Sequence, residues 1–174
     1  MIWIKEATIN DIPLLRDIGI QTYTEHFSTI WSPAGMQAFL DKDFAIQALR
    51  QTLESPDRHG WFLAFDEHDS AVGFAKVNWA KTMPGSDKIG AELQKIYFAQ
   101  SQAGKGYGKH LLQFIWQLAQ NRQERLLWLE VLKTNISAQR LYERRGFEAQ
   151  AEIPFSTDLA AIPTVLMACS LAQA

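Results

Sequence analysis

The sequence predicts a single domain of mixed α/β class, in which a central twisted mixed β-sheet of about six to seven strands is flanked by helices. Three observations predict it. The chain has 174 residues, of which 47% are hydrophobic, enough for one core. Helical spacings and short strand-like runs alternate without a repeat or a linker, so residues 1–174 form one predicted domain. A strand pattern also leads directly into a glycine-rich turn and an amphipathic helix.

The amino-terminal half predicts a strand, helices and a hairpin. Residues 2–7 have strand character, and Thr8 or Asn10 can cap a helix that begins near Pro13. Residues 23–33 mix aromatic and polar side chains without a period, which predicts a loop whose aromatics line a cleft or pack on the core. The remaining predicted elements are helices over 33–40 and 44–53 and a β-hairpin of strands 61–65 and 71–79.

The centre of the chain is a strand, a glycine-rich turn and a helix. The strand runs from Glu92 to Phe98, and the turn reads Gly-Lys-Gly-Tyr-Gly-Lys over 104–109. Leu111, Ile115 and Leu118 then recur at helical spacing. Because the first N–H groups of a helix have no internal partner, and because glycine lets the backbone approach a phosphate, this turn is a candidate anion site. An ordinary strand-to-helix turn is the alternative.

Two common nucleotide-binding loops do not fit this turn. The phosphate loop of NTPases needs Ser or Thr after Gly-Lys, but Lys109 is followed by His110. The dinucleotide fingerprint needs Gly-x-Gly-x-x-Gly, whereas the glycines here stand at alternate positions, 104, 106 and 108. The sequence therefore assigns the turn to neither class.

The carboxy-terminal part predicts a buried strand, a helix and two final strands. Residues 126–132 form a near-continuous apolar run, as in a strand that is buried on both faces. Thr134 or Asn135 caps the next helix, and Gly146 ends it. Residues 147–153 and 164–171 complete the predicted sheet.

Composition and charge exclude several function classes. The net charge of −2 gives no electrostatic case for nucleic acid or an anionic membrane. Cys169 is the single cysteine and the four histidines lack metal-ligand spacing, so no metal site is predicted. No signal peptide or membrane span is evident, which favours the cytoplasm. A homodimer stays open, because Trp3, Trp31 and Trp79 could be interface or core.

Asn135 and Tyr142 are seven residues apart on the predicted helix. Seven residues are almost two turns, so both side chains face the same way, about 10 Å apart along the axis. A ligand lying along that face, over Ala138, could meet the Asn135 amide and the Tyr142 phenol. The alternative is that Asn135 is only a helix cap and Tyr142 only a core aromatic.

Two carboxylates could serve as a general base. Glu130 lies inside the apolar run 126–132, where burial would disfavour its charged form and make it a better proton acceptor. Alternatively, the strand ends there and Glu130 is solvated, or paired with Lys133 or Arg140. Glu92, at the mouth of the central strand, has the same two readings.

Taken together, these segments resemble the GNAT superfamily of acetyl-CoA-dependent N-acetyltransferases. The resemblance rests on the turn 104–112, on Leu-Glu-Val over 129–131, on Asn135 and Ala138, and on 141–147. It covers the core from residue 2 to residue 171 in the order that the family uses. One position departs from the family pattern, because Ala103 stands where the turn usually begins with Gln or Arg.

The resemblance implies a role for each of these residues. The backbone of the central strand would bind the pantetheine of acetyl-CoA, and the turn would bind the pyrophosphate through its N–H groups. Asn135 would contact the cofactor, Tyr142 would protonate the departing thiolate, and Glu130 or Glu92 would be the base. The implied cofactor-binding residues are Ile96, Tyr97, Phe98, Gly104, Lys105, Gly106, Tyr107, Gly108, Lys109, Asn135 and Tyr142. No metal is implied.

The resemblance also suggests an acceptor. Residues 26–33, 36–44 and 76–78 resemble the bacterial spermidine/spermine N-acetyltransferase branch, which predicts direct acetyl transfer to a polyamine or another small amine. A protein amino-terminal acetyltransferase and a non-catalytic acetyl-CoA-binding module remain as alternatives. Carboxylates that could surround a cationic acceptor are Glu25, Asp41, Asp43, Glu92, Glu130 and Asp158.

Overall fold

The computed structural model describes residues 1–171 and contains a seven-stranded mixed sheet with five α-helices. The strands are β1 (Trp3–Glu6), β2 (His59–Phe65), β3 (Ala71–Thr82), β4 (Ile89–Phe98), β5 (Leu126–Leu132), β6 (Glu148–Ile153) and β7 (Thr164–Ser170). The helices are α1 (Ile12–Phe27), α2 (Pro33–Phe44), α3 (Ile46–Leu53), α4 (Tyr107–Asn121) and α5 (Ile136–Arg144). The predicted α/β class and strand number are confirmed.

Helices cover the two faces of the sheet in separate groups. The strand order is β1-β2-β3-β4-β5-β7-β6. On one face, Leu111 and Ile115 of α4 form a buried cluster with Leu129 of β5 and with α5. On the other face, Leu15 and Leu49 from α1 and α3 pack with aromatic residues of β2 and β3. We call these the α4/α5 face and the α1–α3 face.

The sheet opens between β4 and β5, its only parallel pair in residues 1–171. The two strands pair at Ala91 with Leu127 and at Glu92 with Trp128, and at no later position. Strand β4 keeps its antiparallel pairing with β3 through Phe98, and β5 keeps its pairing with β7 through Leu132. The strands therefore diverge, and their later halves leave an opening with unpaired backbone edges.

The prediction of a loop over residues 23–33 is partly wrong. Helix α1 continues to Phe27 because its aromatic side chains find partners on other elements. Tyr23 is 2% exposed, and its ring lies 4.7 Å from that of Phe44 and 5.0 Å from that of Phe39, centroid to centroid. Tertiary packing thus extends a helix where the sequence shows no clean period.

Of the three tryptophans that could belong to an interface or to the core, two lie in the interior and one lies at the surface. Trp79 is 6% exposed and Trp31 stacks on Phe39, so both belong to the interior. Trp3 is 46% exposed, although its ring stacks on that of Phe65. In residues 1–171, none of the helices has the length and apolar character that crossing a bilayer requires.

Candidate active site

The backbone of β4 presents alternate residues to the opening. The Ala99 N–H donates to the Val72 carbonyl at 2.9 Å, which sets the alternation of hydrogen bonds between β3 and β4. By that alternation the backbone N–H and C=O of Tyr97 point towards β3, while those of Ile96 and Phe98 point towards the opening. Ile96 and Phe98 therefore have the backbone groups that a pantetheine amide could reach, and the backbone of Tyr97 does not.

Histidine 26 meets this backbone edge, which the sequence did not predict. Its Nε2 lies 3.1 Å from the Phe98 carbonyl oxygen. The ring also lies 5.6 Å from that of Tyr97. The contact depends on α1 crossing the end of β4, so spacing within the sequence gives no signal for it.

The glycine turn has the conformation of an open anion cradle. Gly104 and Gly106 have φ angles of +79° and +75°, and a Cβ atom placed on either would meet no atom within 4 Å. Helix α4 begins at Tyr107, and no acceptor within residues 1–171 meets the N–H groups from Gly104 to Lys109. These donors sit at the positive end of the α4 dipole, where a phosphate is favoured. Ala103 gives the turn no polar side chain at its start, but backbone donors do not need one.

Basic side chains surround this turn. A depression of about 290 Å³ beside it is lined by Gly106, Lys109, His110, Gln113 and Arg145. Arg145 packs over the Trp116 ring and donates to Gln113, while its Nε is buried without a partner. Arg145 is not among the site residues that the sequence predicts, because only the fold brings the end of α5 beside α4. The Lys105 ammonium donates to the side-chain Oε1 of Gln102 at 3.0 Å instead.

Tyr142 lies at the opening on the α4/α5 face. Its side chain is 6% exposed and belongs to the apolar cluster that includes Leu129, Val131 and Phe147. Burial raises the pKa of the Tyr142 hydroxyl, so it stays protonated at neutral pH. In residues 1–171 this hydroxyl has no hydrogen-bond partner, so it is free to donate to a ligand.

Asn135 is the cap of α5 rather than a residue within it. Its backbone is non-helical, and its Oδ1 accepts from the Ala138 N–H at 3.2 Å. The predicted common helix face for Asn135 and Tyr142 is therefore incomplete, since only Tyr142 lies in the helix. The Asn135 amide nitrogen remains exposed, so any contact with a cofactor would come from that group. Gly146 ends the helix with φ of +101°, as predicted.

Glu130 is exposed, which corrects the expectation of a buried carboxylate. It follows Trp128 by two residues and so shares its face, opposite to Leu129 and Val131. None of the helices in residues 1–171 covers β5 there, and the Thr164 hydroxyl donates to Glu130 Oε1 at 2.8 Å. Lys133 pairs with Glu152 at 2.5 Å instead. Glu130 stands just beyond the last β4–β5 pair, at the edge of the opening.

Glu92 is the carboxylate that is buried, at 6% exposure. Its Oε1 accepts from Asn78 Nδ2 at 2.7 Å and from Lys81 Nζ at 2.6 Å. His59 Nδ1 lies 2.6 Å from the Asn78 side-chain oxygen and extends the network. Because two donors already hold Glu92, its geometry is that of a structural ion pair rather than of a free base.

Replacing Glu92 with glutamine is expected to lower the thermal midpoint of unfolding. The change removes the ion pair with the exposed Lys81 and places a neutral amide in a buried site whose donors are arranged for a carboxylate, at a cost of roughly 1–3 kcal/mol. Thermal denaturation with and without 0.5 M salt measures it, with Glu152→Gln as the matched removal of an exposed ion pair. Equal losses in the two variants would contradict the structural role of the buried network.

Two loops meet above the α1–α3 face. Asp158, in the connection from β6 to β7, accepts from the Ser32 N–H at 3.0 Å and from the Ser32 hydroxyl. Thr157 of the same connection donates to the Ile30 carbonyl. These contacts tie the α1–α2 connection to the β6–β7 connection. A depression of about 370 Å³ is lined by residues of β6 and of the β6–β7 connection.

No group of three or more His, Cys, Asp or Glu side chains in residues 1–171 could hold a metal ion. The arrangement that remains is an opening in the sheet with an anion cradle at one end, a protonated phenol on one face and a solvated carboxylate on the other.

Comparisons with known proteins identify the family to which the chain is similar. A model of the acetyltransferase (GNAT) family matches residues 20–147. An uncharacterised N-acetyltransferase of Lactobacillus delbrueckii subsp. lactis is 27% identical over 153 residues, 87% of each chain. The spermine/spermidine N(1)-acetyltransferase of Bacillus subtilis is 32% identical over 87 residues, covering 49% of this chain and 57% of that protein.

Solved structures share the fold over its whole length. The PaiA N-acetyltransferase of Thermoplasma acidophilum, solved with coenzyme A, superposes with a TM-score of 0.77 at 18% identity and covers 98% of this chain and 99% of its own. The predicted acetyltransferase class and the predicted donor, acetyl-CoA, agree with these findings. The chain belongs to the GNAT family of acetyltransferases.

Proposed function

We propose that this enzyme transfers the acetyl group of acetyl-CoA directly to the primary amine of a small molecule, at the opening between β4 and β5. One observation carries the proposal. Tyr142 reaches the opening from the α4/α5 face, while Glu130 stands beside it on the opposite face. A thioester between them would have a proton donor on one side and a proton acceptor on the other.

The proposed reaction needs no acyl-enzyme. Glu130 takes one proton from the ammonium form of the acceptor, directly or through a water molecule. The neutral nitrogen then bonds to the thioester carbonyl carbon, and the carbon–sulfur bond breaks. Tyr142 gives its proton to the departing sulfur and regains one from the nitrogen. The Phe98 N–H faces the opening and is the proposed donor to the carbonyl oxygen as it becomes negative.

The cradle at the start of α4 fits the pyrophosphate of acetyl-CoA. The N–H groups from Gly104 to Lys109 and the basic depression with Arg145 supply donors and positive charge there. Ile96 and Phe98 supply the backbone edge for the pantetheine. Asn135 retains its amide nitrogen for the same cosubstrate.

Most of the acids that were predicted to surround a polyamine already form ion pairs or hydrogen bonds within the protein. Asp43 pairs with Lys95, and Glu92 pairs with Lys81. Glu25 accepts from the Gln100 N–H, and Asp158 holds the α1–α2 connection. The polyamine prediction therefore depends on the half-length similarity to the Bacillus subtilis enzyme, and the proposal keeps the broader class of small primary amines.

Release of the coenzyme A thiol tests the proposal across acceptor classes. The panel contains spermidine, spermine, free amino acids, aminoglycosides and short peptides with free amino termini. Saturable release with a small molecule and none with peptides is the expected result. Release with peptides alone would replace the proposal by a protein amino-terminal acetyltransferase. Acetyl-CoA binding without release by any amine would favour a binding module.

Glu130→Gln is expected to lower kcat/KM for the amine by about 10–100-fold at neutral pH. Because a higher pH supplies more neutral amine, the deficit should shrink as the pH approaches the pKa of the acceptor. The matched control is Glu152→Gln, an exposed acid on β6. A pH profile parallel to that of the unmodified enzyme would remove Glu130 from the base role.

A further inference from the structure

A row of charged side chains crosses the α1–α3 face beside the opening. Strand pairing sets Lys76 on β3 opposite Lys95 on β4, and Asn78 opposite Glu92. Lys95 contacts the Tyr23 ring and Asp43, which places the row on the face of α1 and α2. Glu92 is the last residue of β4 to pair with β5, so the row ends where the strands separate.

Within the described part of the chain, Lys76 is the cation of this row that has no acid partner. Lys95 Nζ lies 2.9 Å from Asp43 and Lys81 Nζ lies 2.6 Å from Glu92, so these two lysines and two acids pair off. Among the residues that the structure describes, the Lys76 ammonium meets only the Trp61 ring, 5.4 Å from its centroid. Because the Lys76 side chain is half-buried, its ammonium loses part of its hydration. It does not gain an ion pair in return.

The charges that act on Lys76 oppose each other. Burial is the main reason that the pKa of Lys76 falls to about 8; Lys95 and Lys81 lower it further, while Glu92 and Asp43 favour the ammonium form. Glu130, which shares the face, stands on β5, two strands away. A bound anion at Lys76 would supply the negative charge that the described side chains do not place beside it.

An acceptor amine can reach Glu130 from this side of the sheet. The α4/α5 face is filled by the apolar cluster that contains Tyr142, whereas Glu130 is exposed on the other face of β5. Lys76 at the far end of the row is half-buried, and the side chains between the two, Asn78, Glu92 and Lys95, are buried. Strands β3 and β5 are roughly 10 Å apart, and the lysine side chain spans part of that distance. A molecule with its amine near Glu130 could therefore extend a second group towards Lys76.

From this juxtaposition, and resting on the proposed function, we infer that the acceptor is an amine that also has a carboxylate, and that Lys76 binds this carboxylate. Such an acceptor places its ammonium at Glu130 and its anion at Lys76, so both charges are matched. A polyamine would instead bring a second cation to an unpaired lysine.

Three acceptors of equal length test the inference. 4-Aminobutyrate, 4-amino-1-butanol and 1,4-diaminobutane have the same amine and differ in the charge at the far end. The expected kcat/KM for 4-aminobutyrate exceeds that for 1,4-diaminobutane at least tenfold, a difference of about 1.4 kcal/mol. In Lys76→Met the preference should vanish, in Lys76→Arg it should persist, and in Lys76→Glu it should favour the diamine.

The control variant and the contrary results distinguish failure of this inference from failure of the proposed function. Lys42→Met removes the charge of an exposed lysine of α2 and should leave the preference intact. Turnover of all three acceptors without preference, or with a preference that Lys76→Met preserves, overturns the inference but leaves the proposed function standing. Absence of thiol release with every amine overturns the proposed function instead.

A binding measurement tests the inference even when no amine gives thiol release. In protein labelled with ¹⁵N-lysine and loaded with coenzyme A, the pKa of Lys76 measured by NMR should rise when 4-aminobutyrate is added, and should not rise with 1,4-diaminobutane. An unchanged Lys76 pKa at saturating 4-aminobutyrate overturns the inference without requiring turnover.

The cost of the unpaired lysine gives a separate prediction for stability. The pKa of Lys76 in the folded protein, about 8, lies below its ordinary value of 10.5, so the folded state binds fewer protons between these pH values. The penalty is complete below pH 8 and fades as the pH rises towards 10.5. Lys76→Met should therefore raise the melting temperature by about 2–4 °C at pH 7 and by much less near pH 10. A gain that is equal at both pH values would contradict it.

Discussion

Replacing Tyr142 with phenylalanine is expected to lower kcat by about 10²-fold or more, with little change in acetyl-CoA affinity. The ring keeps its place in the apolar cluster with Leu129 and Phe147, and only the hydroxyl is lost. That hydroxyl has no hydrogen-bond partner within residues 1–171, so its loss leaves no protein group unsatisfied. Folding stability should therefore stay within about 0.5 kcal/mol of the original.

Three measurements separate a lost acid from a damaged site. Equilibrium binding of acetyl-CoA and the melting temperature should match those of the unmodified protein. Single-turnover thiol release should slow by the same factor as kcat, because the loss lies in the chemical step rather than in product release. An unchanged kcat in Tyr142→Phe would remove this residue from the acid role.

Gly106→Val is expected to weaken acetyl-CoA binding by about 10²-fold or more. Gly106 has φ of +75° immediately before α4, and a β-branched residue adopts that conformation only with strain. Relief of the strain would turn the N–H groups of the cradle away from the phosphates. The open space around its Cβ position means that the effect comes from backbone conformation and not from a steric clash.

Gly85→Val is a closely matched control for this variant. Gly85 has φ of +72° and equally open surroundings, but it lies in the turn between β3 and β4, at the opposite end of β4 from the cradle. Both variants should lose similar stability, about 1–3 kcal/mol. Isothermal titration with acetyl-CoA should separate them. Equal affinities in Gly106→Val and Gly85→Val would show that the turn does not hold the phosphates.

The features predicted best from the sequence were those with local causes. The turn from Gly104 to Gly108, the cap at Asn135 and the helix end at Gly146 depend on backbone conformations that few residue types adopt. The mixed sheet of about six to seven strands followed from short apolar or alternating runs between helical segments, and seven strands are present in residues 1–171.

The features predicted worst depend on contacts between distant segments. Glu130 lies in an apolar run, but no helix covers its face of β5, so it is solvated. The alternation that turns the backbone groups of Tyr97 towards β3, and those of Ile96 and Phe98 towards the opening, follows from the register with β3 and not from the sequence of β4 alone. The lack of an acid partner for Lys76 depends on which acids the other lysines hold, and strand spacing within one sequence does not reveal such pairing.

The most direct test of direct acetyl transfer is mass spectrometry of a reaction that contains enzyme, acetyl-CoA and 4-aminobutyrate. We expect one N-acetylated amine for each coenzyme A thiol released, with the mass of the protein unchanged at every time point. An acetylated protein that forms before the acetylated amine, or thiol release without an acetylated amine, would contradict it.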